Sequence, residues 1–134
     1  MKILIAEDDF VCRTLLQEIL AEQGVCHVAV DGLEAMAAYR NALEDGKPFD
    51  LICLDIMMPG LDGQQVLQEI RKIEQERNIG GKEMVKVIMT TALADSKNIM
   101  RAFIKGSCES YLIKPIDKDK LLAEIKKLGL SAKD

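Results

Sequence analysis

Short apolar runs alternate along this chain with longer stretches in which apolar residues recur at the period of a helix. The short runs predict five strands, at residues 2–6, 25–30, 51–54, 84–89 and 111–113. The longer stretches predict five helices, at residues 10–23, 32–45, 62–73, 95–105 and from residue 117 onward. This alternation predicts one α/β domain over residues 1–134, with a parallel sheet covered by helices on both faces.

The predicted helices carry apolar residues on one face and capping residues at their starts. The apolar faces are Leu15, Leu16, Ile19 and Leu20 in the first helix, Val66, Leu67, Ile70 and Ile73 in the third, Ile99, Ala102 and Phe103 in the fourth, and Leu121, Leu122, Ile125 and Leu128 in the last. Asp31 with Glu34, and Asp62 with Gln65, have the spacing of a capping box. Asp117 is the predicted N-cap of the last helix.

The composition excludes several classes of protein. Of the 134 residues, 49% are apolar, which is enough for a core, and the net charge of −4 argues against direct nucleic-acid binding. Four cysteines without paired spacing and one histidine, His27, argue against a zinc site and predict free thiols. The apolar run at residues 3–6 is too short for a signal peptide or a membrane span, so we expect a cytoplasmic protein without membrane contact.

Side chains capable of chemistry follow four of the predicted strands. They are Glu7, Asp8 and Asp9 after the first strand, Asp55 after the third, Thr90 and Thr91 after the fourth, and Lys114 with Pro115 after the fifth. Right-handed crossovers place the carboxyl ends of parallel strands at one edge of the sheet, where open α/β sheets bind ligands. If the first and third strands are neighbours, these side chains share one pocket.

The acids of this pocket predict a divalent cation. Two carboxylates about 5 Å apart repel by roughly 3 kcal/mol at an effective dielectric constant of about 20, and Lys114 alone cannot neutralise three acids. Mg²⁺ suits so sparse a site, because it takes oxygen ligands and keeps several waters. Asp9 is either a third acid of this site or the N-cap of the first helix, and the capping role is the favoured one.

With Mg²⁺ bound, the pocket would hold the parts needed for phosphoryl transfer onto a carboxylate. Asp55 would act as the nucleophile and form an acyl phosphate. Lys114 would neutralise charge on the phosphoryl oxygens, and Thr91 would donate a hydrogen bond to one of them.

Four motifs in this order resemble the receiver domain of two-component response regulators, above all the single-domain regulators of the chemotaxis type. They are ILIAEDD, LDIMMPGLDG, MTTA and YLIKP, and the resemblance covers essentially the whole chain. It implies a doubly wound, flavodoxin-like (βα)5 fold with five parallel strands in the order 2-1-3-4-5. It also implies Mg²⁺ as the cofactor and Asp55 as the phosphoacceptor.

The resemblance also implies how the metal is held. By position, Asp8 is a direct ligand, Glu7 acts through water and Asp55 contributes its carboxylate. Met57 falls where the family offers a backbone carbonyl to the metal, so its side chain is free to vary.

The remaining matches concern the switch that the resemblance implies. Thr91 matches the family's hydroxyl residue because it precedes an alanine, and Thr90 is the alternative if the register differs by one. Lys114 matches the family's lysine, and its bond to Pro115 is expected to be cis. Tyr111 matches the aromatic switch residue, with plain packing as the alternative.

The implied function is that of a signalling switch. A sensor histidine kinase, a phosphotransfer protein or a small donor such as acetyl phosphate passes a phosphoryl group to Asp55. The face formed by the fourth helix, the fifth strand and the last helix, called the switch face below, then changes its affinity for a downstream target protein. We expect no output domain in this chain and no reaction beyond its own phosphorylation and dephosphorylation.

Other functions compete with this interpretation. A flavodoxin-type electron carrier needs a phosphate-cradling loop after the first strand, where this chain has EDD. A haloacid-dehalogenase-type phosphatase needs a second aspartate two residues after the nucleophile, where this chain has Met57. A phosphorylation-independent scaffold, or a receiver fragment of a larger regulator, would carry the same residues as the switch.

Two departures from the family pattern affect local geometry. The segment between Asp55 and Thr91 is several residues longer than in compact relatives, which fits an extended third helix and a polar connection at residues 74–83. One extra residue lies between Gly106 and Tyr111.

The sequence also predicts a long-lived acyl phosphate. Met57 and Leu93 lie two residues beyond Asp55 and Thr91 and are apolar, so neither can orient a water for attack on the phosphoryl group. Phosphate loss after labelling with acetyl phosphate should be slower in the wild type than in a Met57→Asn, Leu93→Glu variant. Faster loss in the wild type would contradict this prediction.

Overall fold

A computed structural model of the chain describes residues 1–92 and 108–130. The strands are β1 (Lys2–Ala6), β2 (Val25–Ala29), β3 (Leu51–Asp55), β4 (Lys86–Thr91) and β5 (Ser110–Ile113). The helices are α1 (Phe10–Leu20), α2 (Gly32–Glu44), α3 (Gly63–Glu76) and a last helix, Lys118–Lys127, with a short 3-10 helix at Gly81–Glu83. The helix predicted at residues 95–105 lies outside the described residues.

The five strands form one parallel sheet in the order β2-β1-β3-β4-β5, which confirms the predicted topology. β1 lies between β2 and β3, so that Ile3 is in register with Cys26 on one side and with Leu51 on the other. Each described crossover between neighbouring strands contains a helix, as parallel pairing requires. The carboxyl ends of the strands therefore meet at one edge.

Alternate residues of the central strands face opposite helical layers and form two separate cores. Leu4 of β1 and Ile52 of β3 pack with residues of α2 and α3. Their neighbours Ile3 and Leu51 pack on the other face with residues of α1 and the last helix. All four side chains are fully buried, which explains why these strands are continuous apolar runs in the sequence.

β4 begins and ends two residues later than predicted. Val85 donates its N–H to the carboxylate of Glu74 on α3 at 2.8 Å, and the register with β3 starts at Lys86. At its other end the strand continues through Thr90 and Thr91, which are buried. Because threonine is polar, the apolar run in the sequence stops at Met89, and the strand was predicted to end there rather than at Thr91.

α1 is shorter than predicted, and one of its apolar residues is not buried. The helix ends at Leu20, and the N–H of Gln23 closes a turn onto the Leu20 carbonyl at 2.9 Å. Leu16 and Ile19 are buried as predicted, but Leu15 is 36% exposed. The prediction for Leu15 was wrong because the face of α1 that contacts the sheet is narrower than the apolar stripe.

One of the two predicted capping boxes forms completely. Asp62 and Gln65 exchange both hydrogen bonds at the start of α3. At the start of α2, Asp31 accepts the N–H of Glu34 at 2.8 Å, but the Glu34 carboxylate accepts the N–H of Val30 rather than that of Asp31. The second half of that predicted box was therefore wrong by one residue.

Gly63, the first residue of α3, lies against the end of β3. Its N–H donates to the carbonyl of Ile56 at 2.8 Å. A Cβ atom at this position would lie 2.2 Å from the carbonyl oxygen of Asp55, which is a backbone atom in the sheet. The absence of a side chain is what allows α3 to begin so close to Asp55.

Replacing Gly63 by alanine should therefore disturb the end of β3. We expect Gly63→Ala to lower the free energy of unfolding by about 1–3 kcal/mol, the usual cost of overpacking. Gly80→Ala is the matched control, because a Cβ there meets nothing within 4 Å, and its effect should stay below about 0.5 kcal/mol. Urea unfolding measures both, and equal values for the two variants would contradict the close approach.

Candidate functional site

The ends of β1, β3, β4 and β5 bring the predicted site residues to one edge of the sheet. Glu7 and Asp8 follow directly on β1, and Asp55 is the last residue of β3. Lys114 follows on β5, and its N–H donates to the carbonyl of Thr91 at 2.7 Å. The register of the parallel strands therefore places these side chains around one pocket.

Three carboxylates meet in this pocket. An oxygen from each of Glu7, Asp8 and Asp55 lies within 4.8 Å of the other two. Glu7 is fully buried and Asp55 is 3% exposed, whereas Asp8 is exposed. The pocket therefore has a buried acidic floor and an open side.

Lys114 is the cation that faces the two buried acids. Its Nζ lies 2.7 Å from Glu7 Oε1 and 3.4 Å from Asp55 Oδ1. The shorter contact shows that Lys114 forms its main ion pair with Glu7 rather than with Asp55. The Lys114–Pro115 peptide bond is cis, as predicted.

Backbone groups complete the contacts of the two buried acids. The N–H of Asp9 donates to Glu7 Oε2 at 3.1 Å, and the N–H of Met57 lies 3.4 Å from Asp55 Oδ1. The contact to Asp55 is long for a hydrogen bond. Glu7 Oε1 lies close to the Lys114 ammonium but accepts no hydrogen bond within the described residues, so both buried carboxylates are incompletely hydrogen-bonded.

The surroundings of the two buried acids shift their pKa values in opposite directions. Burial and the neighbouring Glu7 carboxylate raise the pKa of Asp55 to about 7. Burial also opposes ionisation of Glu7, but the nearby Lys114 ammonium and the N–H of Asp9 outweigh it and lower the pKa of Glu7. Lys114 is likewise buried in part, yet its acidic partners raise its pKa.

This donor set fits a hard divalent cation. Three oxygen donors, one of them open to water, match the ligands that Mg²⁺ takes in proteins. Lys114 brings one positive charge to a pocket of three carboxylates, and burial together with the Glu7 carboxylate raises the pKa of Asp55. A divalent cation bound to these oxygens would remove that excess of negative charge.

Asp9 and Arg13 support the acidic motif from α1. Asp9 accepts the N–H of Cys12 at 2.8 Å, which confirms it as the N-cap of α1. Arg13 donates from Nη1 to the carbonyls of Glu7 and Asp8 at 3.1 and 3.2 Å. Arg13 was not among the predicted site residues, although its position one turn into the helix after the acidic motif was a signal for this role.

The remaining predicted site residues differ in how deeply their side chains are buried. Thr90 and Thr91 are buried at the end of β4. Tyr111 is partly buried and packs against the core formed with α2 and α3. The Met57 side chain is 58% exposed, and Leu93 lies outside the described residues.

Of the four cysteines, Cys12 lies beside the acidic pocket, where burial and then the Glu7 carboxylate raise the pKa of its thiol to about 12. All four cysteines are free thiols, as predicted. Burial raises the pKa of Cys53 to about 12, so its thiol stays protonated at neutral pH. His27 packs edge-on against Phe49 at a ring distance of 5.5 Å. In the part of the chain that the structure describes, no helix is long and apolar enough to cross a membrane.

The fold and the site together define a class of protein. A parallel sheet in the order 2-1-3-4-5, with functional groups beyond the carboxyl ends of its strands, is the flavodoxin-like architecture of CheY. The chain belongs to the response regulator receiver domain family, whose model matches residues 3–126. This is a family of two-component signalling proteins, whose members bind Mg²⁺ in an acidic pocket and interact with histidine kinases or phosphotransfer partners.

Individual relatives agree with this assignment. The chain is 35% identical over 127 residues to the probable transcriptional regulator ycf29 of Porphyra purpurea, covering 94% of this chain and 55% of that protein. It is 30% identical over 126 residues to the chemotaxis protein CheY of Treponema pallidum, covering 92% of this chain and 79% of that protein. The chain thus spans about half the length of the first of these relatives.

A solved structure shows the same likeness in three dimensions. It is a chain of the CheX-CheY-BeF3-Mg+2 complex from Borrelia burgdorferi, with a TM-score of 0.80 and 27% sequence identity. The similarity covers 98% of this chain and 90% of that chain.

The pKa of Asp55 predicts how stability depends on pH. Because the pKa in the folded state, about 7, lies above the ordinary value of 3.8, the folded protein retains a proton between these values that the unfolded chain has lost. The contribution of Asp55 to stability is therefore present below about pH 4 and is lost as the pH rises to about 7. Asp55→Asn has no carboxyl group to ionise at this position, so its stability does not fall in this way as the pH rises. The variant should be about 2–4 kcal/mol more stable than the wild type at pH 8.

Urea unfolding of both proteins at pH 4 and pH 8 tests this prediction. The difference in the free energy of unfolding between Asp55→Asn and the wild type should be small at pH 4 and large at pH 8. Millimolar Mg²⁺ at pH 8 should reduce this difference by stabilising the wild type more than the variant, which keeps Glu7 and Asp8 but lacks the Asp55 carboxylate. An equal difference at the two pH values would contradict the raised pKa.

Proposed function

We propose that this chain accepts a phosphoryl group on Asp55 in a Mg²⁺-dependent reaction and thereby switches its affinity for a partner protein. The observation that carries the proposal is the position of Asp55, which ends β3 within 4.8 Å of the Glu7 and Asp8 oxygens. Lys114 lies 3.4 Å from Asp55 on the side of β5. A carboxylate placed between an acidic pair and a lysine suits phosphoryl transfer.

In the proposed reaction, one Asp55 carboxyl oxygen attacks the phosphorus of the donor. A new P–O bond forms, the bond from phosphorus to the donor atom breaks, and its electron pair leaves with the donor. Lys114 neutralises part of the charge on the phosphoryl oxygens, and the Thr91 hydroxyl donates a hydrogen bond to one of them. Lys114 is partly exposed, at 17% of its side chain, so it can turn from Glu7 towards an incoming anion.

The residues that would hold Mg²⁺ are the ones that the sequence analysis named. Asp8 and Asp55 would contribute carboxylate oxygens, Met57 its backbone carbonyl, and Glu7 a contact through water. The ion supplies positive charge that offsets the negative charge of the donor phosphate and of the acids. The open side of the pocket at Asp8 is where that ion would enter.

The proposed output runs from the site into β5. Thr91 and Ile113 are in register, as are Met89 and Tyr111, so β4 and β5 are joined directly behind the site. When Thr91 and Lys114 turn towards a phosphoryl group, Tyr111 and the switch face follow. This is a population shift between two packings, and the partner reads it through its different affinity for each.

The proposed donors and targets are proteins. A sensor histidine kinase or a phosphotransfer protein would supply the phosphoryl group, and acetyl phosphate could replace either in vitro. A downstream target protein would bind the switch face, of which β5 and the last helix are described. The chain would catalyse only its own phosphorylation and dephosphorylation.

Labelling with acetyl phosphate tests the acceptor. With Mg²⁺ the wild type should gain one phosphoryl group and Asp55→Asn none, because the nucleophile is missing. Asp8→Asn should lower the labelling rate at limiting Mg²⁺ by at least about tenfold, since metal binding loses a carboxylate. Intact-protein mass spectrometry measures both, and EDTA should abolish labelling of the wild type.

Asp9→Asn is the matched control for Asp8→Asn. Asp9 is the neighbouring acid but caps α1, and asparagine caps a helix as well as aspartate does. Its labelling rate should therefore stay close to that of the wild type. A wild type that takes up no phosphoryl group would support a phosphorylation-independent scaffold, and equal labelling of Asp55→Asn would place the acceptor elsewhere.

A further inference from the structure

Thr90 carries a buried hydroxyl that the described structure leaves without a partner. The residue is 1% exposed, and its Oγ1 makes no hydrogen bond within the described residues. Its backbone is satisfied, since the Thr90 carbonyl accepts the N–H of Ile56 at 2.9 Å. Leaving a hydroxyl buried and unpaired costs stability, so this hydroxyl calls for a physical explanation.

The register of the sheet places Thr90 beside Asp55. The two residues are direct Cα partners in the parallel pairing of β3 with β4. Residues in register on neighbouring strands project to the same face of a sheet. Cys53 and Ile88, two residues before Asp55 and Thr90, both belong to the core under α1 and the last helix, which identifies this face.

The Asp55 carboxylate has room for another donor. Its contacts to Lys114 and to the N–H of Met57 are both 3.4 Å long, beyond the usual range of a strong hydrogen bond to a charged group. A threonine hydroxyl can change its direction by rotation between staggered positions about one bond. Thr90 therefore has an unused donor next to a carboxylate that is short of donors.

We propose that the Thr90 hydroxyl is a positioning group for the acceptor: it donates to the Asp55 carboxyl oxygen that does not bond to phosphorus. Thr90 keeps its proton throughout and only redirects it. Thr91 and Thr90 then have different roles. Thr91 donates a hydrogen bond to a phosphoryl oxygen, and Thr90 donates one to the Asp55 carboxyl group. This inference rests on the proposed function of Asp55.

Thr90→Val separates this role from simple packing, because valine has nearly the same shape and lacks the hydroxyl. If the hydroxyl is idle before the reaction, the variant should unfold in urea at the same midpoint as the wild type or a higher one. Beryllofluoride with Mg²⁺, which adds to one aspartate oxygen as a phosphoryl mimic, is the probe. Its affinity should fall about tenfold in Thr90→Val, as expected for loss of a hydrogen bond to a charged group.

Thr90→Ser is the matched variant, because serine keeps the hydroxyl. It should bind beryllofluoride within about twofold of the wild type. Titrations followed by NMR or by fluorine resonances of the bound adduct give the affinities, and the rate of labelling by acetyl phosphate should change in parallel. An affinity of Thr90→Val equal to that of the wild type would overturn the inference, as would equal losses in Thr90→Val and Thr90→Ser.

The same titrations distinguish failure of this inference from failure of the proposed function. A wild type that binds beryllofluoride and loses this binding in Asp55→Asn supports the acceptor, whatever the result for Thr90→Val. A wild type that binds no beryllofluoride refutes the acceptor, and the role of Thr90 with it. A strongly lowered urea midpoint in Thr90→Val would show that the hydroxyl is already used in the unmodified fold, which contradicts the inference.

Discussion

The structure depends on one electrostatic constraint: two acids are buried beside a third at the carboxyl edge of the sheet, with one lysine between them. Lys114 compensates Glu7 at 2.7 Å but reaches Asp55 only at 3.4 Å. The result is an unequal pair, in which Glu7 stays ionised and burial beside it raises the pKa of Asp55. A native state is stable by only about 5–15 kcal/mol. Repulsion between buried carboxylates is a large cost on this scale unless a ligand offsets it. Under the proposed function that ligand would be a cation together with a phosphoryl group, and the repulsion in the resting site would then favour binding of both.

The backbone, rather than the side chains, sets the position of these acids. Asp55 is held by the β3 ladder, whose last pairing joins it to Thr90, and by the start of α3, which only a glycine at position 63 allows to come so close. Glu7 is likewise fixed, because its N–H donates to the carbonyl of Ala29 at 3.0 Å. The backbone at both acids is therefore fixed by its pairing. Under the proposed function, a bound cation would lower the repulsion between their carboxylates.

Much of this arrangement could be predicted from the sequence, because it follows from periodicity. The apolar runs located all five strands, and a parallel sheet then brings Glu7, Asp55 and Lys114 to one edge. Boundaries were less predictable wherever polar residues are buried, as with the shift of β4 through Thr90 and Thr91. The preference of Lys114 for Glu7, and the support from Arg13, depend on side-chain distances that no pattern in the sequence encodes. The Thr90 hydroxyl, which has no hydrogen-bond partner within the described residues, could not be predicted either, since from the sequence Thr90 was only an alternative to Thr91.

The start of β5 is held by contacts to two other elements. Arg71 on α3 lies 3.1 Å from Glu109 Oε1, and the same oxygen accepts the N–H of Val87 at 2.7 Å. The residue just before β5 is thus tied to α3 and to β4. At the other end of this four-residue strand, Lys114 hydrogen-bonds to Thr91 beside the site. β5 is thus attached at both ends, and Tyr111 is the second of its four residues. In the proposed switch, a shift of Thr91 or Lys114 would reach Tyr111 along this short strand, which also pairs Tyr111 with Met89 of β4.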